Sequence, residues 1–387
     1  MKVLFVYKTY LPHTKGGIEQ FMFQMGYGGA RHGIESTVLS TNDRPADDLV
    51  RMNGHTACYA RTTFEFASTP FSTTLLGKFR SLAKRADIIH YQFPWPFMDA
   101  MHFAARISKP TVVTYHSDIV RQELLLHLYG PLQRRFLRSV DRVVATSPIY
   151  TKSSTVLRDY AEKLTVIPIG IDRASYPEAS QERLNYWRRR VGERFFLFVG
   201  VLRYYKGLHF LVEAAKATGC PILIVGDGPT GDALKAQAAR TGTSNVRLLG
   251  YLSDADKVAL LTLCYGVVCA SHLRSEAFCI SLLEGAMFGK PLVSSEINTG
   301  TSYVNIHGET GLVVPPGDAQ ALSEAMQFLL DHPDRAQVFG HNAQARYQSL
   351  FTSDQMIGSY AAVYRDLLEA GSRRSSDRQD SPDHSRP

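Results

Sequence analysis

The chain has 387 residues, of which 44% are hydrophobic and 20% are charged. The length predicts two domains, because single hydrophobic cores rarely grow beyond about 250–300 residues. The apolar content excludes a largely disordered chain, and no apolar run approaches the roughly 18–20 residues that cross a bilayer. Five cysteines without a CxxC pair exclude a disulfide scaffold and a zinc ribbon, and they favour a reducing compartment.

The net charge of +7 lies in the N-terminal half of the chain. Residues 1–180 contain 22 Lys and Arg against 15 Asp and Glu, whereas residues 181–370 contain 17 against 18. Such an asymmetry points to a polyanionic partner, such as a phosphorylated substrate or an anionic membrane face. Charge alone is better explained by an ordinary solvated surface. No nucleic-acid recognition motif accompanies the basic half, so we expect no nucleic-acid partner.

Short β-branched runs alternate with helical patterns along the whole chain. The strands predicted in the first half are Val3–Tyr7, Ser36–Leu39, Asp87–Tyr91, Thr111–Tyr115, Arg142–Thr146 and Leu164–Ile167. Those predicted in the second half are Phe195–Val199, Ile222–Val225, Val246–Leu248, Val267–Ala270, Pro291–Ser294 and Gly311–Val314. This rhythm is typical of βαβ units with parallel sheets. The predicted fold class is α/β, with two doubly wound, Rossmann-like domains that face a central cleft.

The predicted domain boundary lies at a polar, arginine-rich helical stretch, Gln181–Arg190, after which the strand rhythm restarts. We expect an N-terminal domain over residues 1–180 and a C-terminal domain over residues 181–352. Residues 353–370 are predicted to form a helix that packs back toward the first domain. The segment 371–387 is rich in Ser, Arg, Asp and Pro and is predicted to be a disordered tail.

The strongest motif follows the predicted strand Val267–Ala270 and contains two acids. We expect Glu276 in the loop at the carboxyl end of that strand, where ligands of open α/β sheets bind. Glu284 is expected one turn into a helix that opens near Ile280. Two carboxylates can accept hydrogen bonds from the hydroxyls of a sugar and a ribose, and the helix N-terminus suits a phosphate. Ordinary surface glutamates are the alternative.

Two cations, Arg203 and Lys206, follow the predicted strand Phe195–Val199. Arginine can bind a diphosphate through two parallel hydrogen bonds, while lysine acts as a compact point charge. Together they would neutralise the charge that builds on a departing nucleoside diphosphate. Solvated surface charges are the alternative interpretation of this motif.

Two further positions are expected at the predicted cleft. Gly16 and Gly17 follow the first strand and precede a helix, so the backbone there could approach a phosphate closely. A plain turn explains the glycine pair taken alone. His116 ends the predicted strand Thr111–Tyr115, where it could bond to a substrate hydroxyl; a histidine satisfied within the core is the usual alternative.

Two apparent motifs have structural interpretations. Gly226–Gly231 matches GxGxxG, but it follows the second strand of its half and contains Pro229. It also lacks an acid at the spacing expected for a ribose, so we predict a tight turn that lines the cleft. Asp254 and Asp256 follow Ser253, which predicts the capped, acidic first turn of a helix. No clustered His or Cys motif indicates a metal site.

Together these residues resemble the retaining GT-B glycosyltransferases of the family 4 type, over about residues 1–370. The resemblance implies that Glu284 binds the ribose hydroxyls and that Glu276 binds the donor sugar. It assigns the diphosphate to Arg203 and Lys206. The catalytic set that it implies is Glu276, His116, Arg203 and Lys206, and the further positions implied to bind the nucleotide sugar are Gly16, Gly17, Gly226, Gly250, Tyr251, Phe278, Cys279 and Glu284.

Within the family, segments 90–97 and 201–207 look most similar to bacterial mannosyl- or rhamnosyltransferases of surface polysaccharide (O-antigen) assembly. That resemblance implies a GDP-sugar donor, a lipid-linked oligosaccharide acceptor, and no metal or other cofactor. It places the enzyme in the cytoplasm, peripheral on the inner face of the plasma membrane. The residues predicted to dock on that anionic face are Arg134, Arg135, Arg138 and Arg142, together with Leu132, Phe136, Leu137 and Val140.

Two features depart from the family pattern. Cys279 stands where the family usually has glycine, and its side chain could narrow the donor pocket or weaken activity. Gly26, Gly28 and Gly29 are expected to weaken the first helix by roughly 0.5–1 kcal/mol each relative to Ala. Two other functions remain open on the same architecture. One is a sugar-nucleotide epimerase or hydrolase, and the other is a non-catalytic subunit that binds nucleotide sugars.

Overall fold

A computed structural model of the chain describes residues 1–43, 49–66, 69–119 and 123–379. The strands are β1 (Lys2–Val6), β2 (Glu35–Asn42), β3 (Val50–Met52), β4 (His55–Arg61), β5 (Phe64–Phe66), β6 (Thr69–Phe71), β7 (Ile88–Phe93), β8 (Thr111–Tyr115), β9 (Arg142–Ala145), β10 (Leu164–Val166), β11 (Phe196–Val199), β12 (Ile222–Val225), β13 (Val246–Gly250), β14 (Gly266–Cys269), β15 (Leu292–Ser295) and β16 (Gly311–Val314). The helices are α1 (Gly17–Gly28), α2 (Leu75–Arg85), α3 (Pro96–Ala105), α4 (Glu123–Ser139), α5 (Pro148–Ser153), α6 (Gln181–Val191), α7 (Leu208–Thr218), α8 (Gly231–Thr241), α9 (Asp254–Leu263), α10 (Ile280–Met287), α11 (Thr301–Val304), α12 (Ala319–Asp331), α13 (Pro333–Leu350) and α14 (Ser353–Gln379).

The N-terminal sheet has eight strands in the order β10-β9-β8-β7-β1-β2-β4-β3. Every neighbouring pair is parallel except β3 with β4. Strands β3 to β6 are absent from the sequence prediction. The sequence of β4, His55–Arg61, has one β-branched residue and no long apolar run, so its buried position beside β2 carries little local signal.

The C-terminal sheet has six parallel strands in the order β13-β12-β11-β14-β15-β16. Each corresponds to a predicted strand, and β12 and β16 have the predicted bounds. The order reverses between β11 and β14, which is the switch point where doubly wound sheets bind ligands. The loops that leave these two strands carry the predicted cation and acid motifs.

Glycines in α1 serve close packing rather than simply weakening the helix. A Cβ atom on Gly26 would lie 2.5 Å from the ring of His55 on β4. One on Gly28 would lie 2.5 Å from Cδ1 of Ile357 on α14. The missing side chains therefore let α1 lie directly against the sheet and the last helix, so tertiary contact offsets their low helix propensity.

The last helix, α14, packs on the N-terminal domain. The hydroxyl of Tyr364 lies 2.7 Å from Nδ1 of His90, and that of Tyr360 lies 2.8 Å from Oγ1 of Thr114. These hydrogen bonds are buried between the helix and strands β7 and β8. The chain therefore crosses back from the C-terminal domain to the domain where it began.

The end of α14 corrects the predicted start of the disordered tail. The helix continues to Gln379, so residues 371–379 are helical rather than part of a tail that begins at 371. No proline lies between Ser353 and Pro382. Arg373 also pairs with Glu369 one turn earlier at 3.9 Å, an arrangement that supports helix propagation. The remainder of the predicted tail, 380–387, lies outside the described residues.

Candidate functional site

The loops at the C-terminal switch point bring Lys206 and Glu276 together. Lys206 ends a short 3₁₀ turn after β11, and Glu276 lies in the loop between β14 and α10. The ammonium group of Lys206 donates a hydrogen bond to Oε2 of Glu276, and Oγ of Ser271 donates to the same oxygen at 2.9 Å. The two charged side chains are only 12% and 9% exposed, so they form a buried ion pair.

The charge state of this pair follows from its environment. Burial lowers the pKa of Lys206, but the Glu276 carboxylate, with smaller contributions from Tyr205, Cys279 and Cys269, holds that pKa well above its ordinary value. The ammonium group therefore stays charged at physiological pH. A fixed cation in a site that excludes water is suited to stabilising negative charge on a leaving group.

Glu284 forms a second acidic centre one turn into α10. Its Oε1 accepts hydrogen bonds from the hydroxyl of Tyr176 at 2.9 Å and from Nζ of Lys257 at 3.0 Å. Its Oε2 accepts no hydrogen bond from any residue that the structure describes, which leaves it available to ligand hydroxyls. Burial lowers the pKa of Lys257, but Glu284 and Asp254 raise it overall.

Tyr176 and Lys257 are absent from the sequence prediction. Tyr176 lies in the connection between the domains and has no motif around it. Lys257 directly follows the acidic first turn of α9, where Ser253 accepts the predicted capping hydrogen bond from the N–H of Asp256 at 3.2 Å. A lysine next to a capped helix start is a weak signal, because most such lysines are solvated.

Arg203 lies three residues before Lys206, and its side chain is exposed. Across the described ranges, its guanidinium group makes no hydrogen bond or ion pair with another residue. A charged fork that makes no hydrogen bond within the protein can bind a diphosphate at a switch-point loop without first breaking such a bond. The structure therefore leaves Arg203 available for the predicted role.

Gly226 and Gly250 lie beside the loop that carries Arg203 and Lys206. Gly226 has φ 128°, and a Cβ atom there would lie 2.0 Å from the carbonyl oxygen of Gly200. Its N–H donates to the carbonyl of Gly250 at 2.8 Å. The GxGxxG segment is therefore a tight turn that packs against the cation loop. Tyr251 directly follows Gly250 and is 58% exposed.

The Gly-Gly loop faces the start of α10 across the cleft. Gly16 is the N-cap of α1 and Gly17 is its first residue. A Cβ atom on Gly17 would lie 3.6 Å from Cδ1 of Ile280, the first residue of α10. Lys15 also crosses the cleft, since its Nζ donates to the hydroxyl of Tyr251 at 2.5 Å. Two helix N-termini thus approach one space, and both favour an anion there.

His116 lies at the carboxyl end of β8 and is 5% exposed. Its Nε2 lies 2.7 Å from Oε1 of Gln92, and its ring meets that of Phe21 edge-on at 5.3 Å. Burial lowers the pKa of His116 to about 3, so the imidazole is neutral at physiological pH. Nε2 of Gln92 is buried without a hydrogen-bond partner among the described residues, which makes Gln92 a further polar group at this position.

Glu19 is a buried acid that is absent from the predicted site. It is 5% exposed and accepts a hydrogen bond from Oγ1 of Thr9 at 2.7 Å. Burial raises its pKa, while Thr9, Lys8 and Arg203 oppose that shift. Its position in the first turn of α1, two residues after Gly17, was the available signal.

Phe278 and Cys279 complete the loop before α10. The ring of Phe278 packs against Phe351 with centroids 6.0 Å apart, so its side chain belongs to the core and its backbone alone can face a ligand. Cys279 has φ 66°, a region that strains residues other than glycine. Its Sγ lies 2.9 Å from Sγ of Cys269. Their hydrogen bond lowers the pKa of Cys269, while burial raises that of Cys279.

The end of β14 and the loop before α10 bring together a group of possible metal ligands that the sequence spacing does not reveal. One ligand atom each from Cys269, Glu276 and Cys279 lies within 4.8 Å of the others. Two thiols and a carboxylate would suit a soft cation. The carboxylate of this group is already paired with the ammonium group of Lys206.

The predicted membrane face is only partly at the surface. Arg134, Arg135 and Arg138 on α4 are exposed, whereas Arg142 is only partly so. The apolar residues predicted beside them point into the domain: Phe136, Leu137 and Val140 are at most 2% exposed. Their periodicity reflects the core face of α4 rather than a membrane face. Of the helices that the structure describes, none is long and apolar enough to cross a membrane.

Two family models match the chain. The model described as Glycosyltransferase Family 4 matches residues 15–175, and the one described as Glycosyl transferases group 1 matches residues 181–346. A D-rhamnosyltransferase, WbpZ of Pseudomonas aeruginosa, is 55% identical over 91% of this chain and 93% of its own length. O-antigen chain mannosyltransferase C of Escherichia coli is 49% identical over 96% of this chain and its whole length.

Solved structures have the same architecture at low sequence identity. Sucrose-phosphate synthase from Thermosynechococcus elongatus superimposes with a TM-score of 0.79 at 22% identity, covering 95% of this chain and 99% of that one. HepE of Anabaena, solved with UDP and glucose, has a TM-score of 0.75 at 21% identity, covering 95% and 100%. With the family models, these likenesses confirm the predicted fold class: the chain belongs to the GT-B glycosyltransferases, with a family 4 N-terminal domain and a group 1 C-terminal domain.

Proposed function

We propose that the protein transfers a mannose- or rhamnose-type hexose from a GDP-sugar to a lipid-linked glycan, with retention of configuration and without a metal. The observation that carries the proposal is the buried Lys206–Glu276 pair beside the unpartnered guanidinium of Arg203. The named activities of the two relatives, a D-rhamnosyltransferase and an O-antigen chain mannosyltransferase, support the sugar and the pathway.

Each role follows from what its side chain offers. Arg203 and Lys206 bind the diphosphate and stabilise the charge that grows as its bond to the sugar breaks. The N-termini of α1 and α10 contribute backbone N–H groups to the same phosphates. Glu284 binds ribose hydroxyls through its open Oε2. Glu276, oriented by Lys206 and Ser271, accepts hydrogen bonds from the sugar.

His116 takes the sugar side of the cleft in this proposal. With a pKa of about 3, it is a neutral hydrogen-bonding group at physiological pH. When Nε2 donates to Gln92, Nδ1 retains the lone pair that can accept from a sugar hydroxyl. A neutral ring is also compatible with the positive charge that develops on a sugar as its leaving group departs.

The first experiment is calorimetric titration with GDP, UDP and ADP in the absence of added metal. Binding of GDP in preference to UDP supports the proposed donor, whereas preference for UDP contradicts it.

Arg203→Ala and Glu284→Ala should each weaken nucleotide binding, while Glu276→Ala should mainly reduce turnover. If all three variants bind and react like the parent, the assignment of the site is wrong.

The reaction class has its own test. Incubation with GDP-mannose and GDP-rhamnose, with and without a lipid-diphosphate-linked glycan, should release GDP at a high rate only when the acceptor is present. The new linkage should have the anomeric configuration of the donor, as measured by NMR of the product. Rapid release of free sugar without acceptor would instead identify a hydrolase, and an inverted linkage would exclude retention.

We also propose that the N-terminal domain docks on an anionic membrane through the exposed arginines of α4. Leu128 on the same helix is 81% exposed, and Phe64 and Phe66 on the β5–β6 hairpin are 57% and 61% exposed. Exposed cations and exposed apolar side chains on one domain suit the headgroup region. In a flotation assay, the parent should rise with phosphatidylglycerol vesicles, whereas the variant with Ala at positions 134, 135 and 138 should not. An equal reduction of charge at positions 188, 189 and 190 of α6 is the control.

A further inference from the structure

We infer that Arg274 is a positioning residue that docks the loop carrying Glu276 onto the N-terminal domain and thereby sets the distance between Glu276 and His116. Arg274 lies two residues before Glu276 in the loop between β14 and α10. Its partner Asp118 lies two residues after His116, in the loop that follows β8. One interdomain contact thus joins the two loops that bring the proposed sugar-binding groups to the cleft.

The guanidinium group of Arg274 bonds to both domains at once. Its Nη2 lies 3.3 Å from Oδ2 of Asp118 and 3.1 Å from Oγ of Ser153 at the end of α5. Its Nη1 donates to the carbonyl oxygen of Asn298 at 2.8 Å. Asn298 belongs to the loop after β15, so the arginine fork also ties a second C-terminal loop to the same junction.

Asp118, the acceptor on the N-terminal side, is held in place by residues of its own domain. Oδ1 of Asp118 accepts hydrogen bonds from the hydroxyl of Tyr115 and from Oγ of Ser154, each at 2.9 Å. The Arg274 guanidinium also lies over the ring of Tyr150, 5.3 Å from its centroid. A planar cation that has a fixed carboxylate on one edge and an aromatic face beneath it has a defined orientation.

Lys15 makes a second interdomain contact, which is more exposed to water than the contact of Arg274. This comparison indicates which contact sets the closed arrangement of the domains. Lys15 reaches the Tyr251 hydroxyl and lies 3.8 Å from Asp254, but the side chains of Lys15 and Asp254 are 49% and 57% exposed. Those of Arg274 and Asp118 are 31% and 21% exposed. The arginine junction is less accessible to water and branches to more acceptors, so we expect it to govern the closed arrangement.

This role has a kinetic signature, because the nucleotide-binding groups all lie elsewhere. Arg274→Ala should leave GDP affinity within about twofold, since Arg203, Lys206 and Glu284 are untouched. It should lower kcat by about tenfold or more, since small misplacement of reacting groups can cost up to about a hundredfold. Arg274→Lys keeps the charge but loses the fork, so it should give an intermediate kcat.

The closure can be measured without knowing the donor, which separates this inference from the proposed function. The five native cysteines are buried, so nitroxide labels can be directed to exposed positions 84 on α2 and 236 on α8 after Lys84→Cys and Ala236→Cys. Electron–electron double resonance should give a narrow interdomain distance distribution in the parent. The distribution in Arg274→Ala should be broader and extend to longer distances.

The matched control is Arg183→Ala, which removes an ion pair with Asp256 at 2.8 Å within the C-terminal domain. Its distance distribution and kcat should match those of the parent. An unchanged distribution in Arg274→Ala would overturn the inference, and so would a loss of GDP affinity as large as the loss of kcat. If Arg274→Ala does not fold, Arg274→Lys and Ser153→Ala test the same junction by the same two measurements.

Discussion

The two sides of the cleft differ in whether their buried polar groups are charged or neutral. On the C-terminal side, Lys206 with Glu276 and Lys257 with Glu284 are buried as ion pairs. On the N-terminal side, burial lowers the pKa of His116 and raises that of Glu19, so both shifts favour the neutral form. In the proposed function, the charged side meets the nucleoside diphosphate and the neutral side meets the hydroxyls of the sugar.

The buried ion pairs should dominate any test of this contrast. Lys206→Met leaves the Glu276 carboxylate buried without its cation, which should lower the free energy of unfolding by about 3–5 kcal/mol. It should also lower the transfer rate by about 10²–10³-fold, because a fixed charge near the leaving group is lost. Urea denaturation and steady-state transfer assays measure the two effects.

A double variant separates stability from catalysis in this pair. Lys206→Met combined with Glu276→Gln removes both charges, so most of the lost stability should return while the transfer rate stays low. If Lys206→Met alone is as stable as the parent, Lys206 and Glu276 do not form a buried ion pair. If the double variant regains activity, the fixed charge is not needed for transfer.

The buried, neutral His116 should make the free energy of unfolding depend on pH. His116 has a pKa of about 3 in the folded protein, whereas an unfolded histidine has a pKa of about 6.5. Between these values the unfolded chain binds a proton that the folded chain does not. The free energy of unfolding should therefore fall as the pH drops from 6.5 toward 3, by up to about 1.4 kcal/mol per pH unit.

His116→Gln should make that pH dependence less steep. Burial also lowers the pKa of His90, so part of the slope should remain in the variant. His341→Gln, at an exposed position on α13, is the control and should keep the slope of the parent. Urea denaturation at pH 7, 6 and 5 gives the comparison, and equal slopes for His116→Gln and the parent would contradict a buried neutral imidazole.

Glu284 provides a smaller contrast within the C-terminal side. Glu284→Gln removes a charged acceptor of hydroxyls, which is typically worth about 1.5–3 kcal/mol, so the Kd for GDP should rise at least tenfold. Tyr176→Phe removes only a neighbour that bonds to the other oxygen of this carboxylate, so the Kd should change less than threefold. Calorimetry compares the two, and equal losses would mean that Glu284 acts through its orientation alone.

The sequence predicts the C-terminal side better than the N-terminal side, for a physical reason. There, buried parallel strands are continuous apolar runs, and the start of α10 at Ile280 is the residue expected from the pattern. In the N-terminal domain, β4 lacks such a run, and the glycines of α1 look unfavourable until their contacts with His55 and Ile357 are seen. Local patterns report burial and turns, but they do not report close approach between distant segments.

The same limit applies to the partners within the site. Glu276 and Lys206 stand in recognisable loops, so their chemistry is predictable from position in a βαβ unit. Tyr176, Lys257 and Arg274 acquire their roles only because the fold brings them to groups that are distant in the chain. The thiol pair of Cys269 and Cys279 belongs to this second class, since the two cysteines lie ten positions apart and neither belongs to a CxxC motif.

The smallest expected effect concerns backbone strain on the two sides of the molecule. Arg106 directly follows α3 with φ 53° and is exposed, whereas Cys279 precedes α10 with φ 66° and is buried. Left-handed backbone costs residues other than glycine roughly 1–2 kcal/mol, so Arg106→Gly should raise the free energy of unfolding by about 0.5–1 kcal/mol. Cys279→Gly gains the same relief but loses the buried contact with Cys269, so its net effect should be close to zero.

A third variant shows whether the thiol contact accounts for that difference. In a Cys269→Ala background the contact is already lost, so adding Cys279→Gly should now stabilise the protein about as much as Arg106→Gly does. Urea denaturation of the single and double variants gives the coupling between the two cysteines. Additive effects would mean that the thiols do not stabilise each other, and the cysteine before α10 would then be a strained residue without compensation from its neighbour.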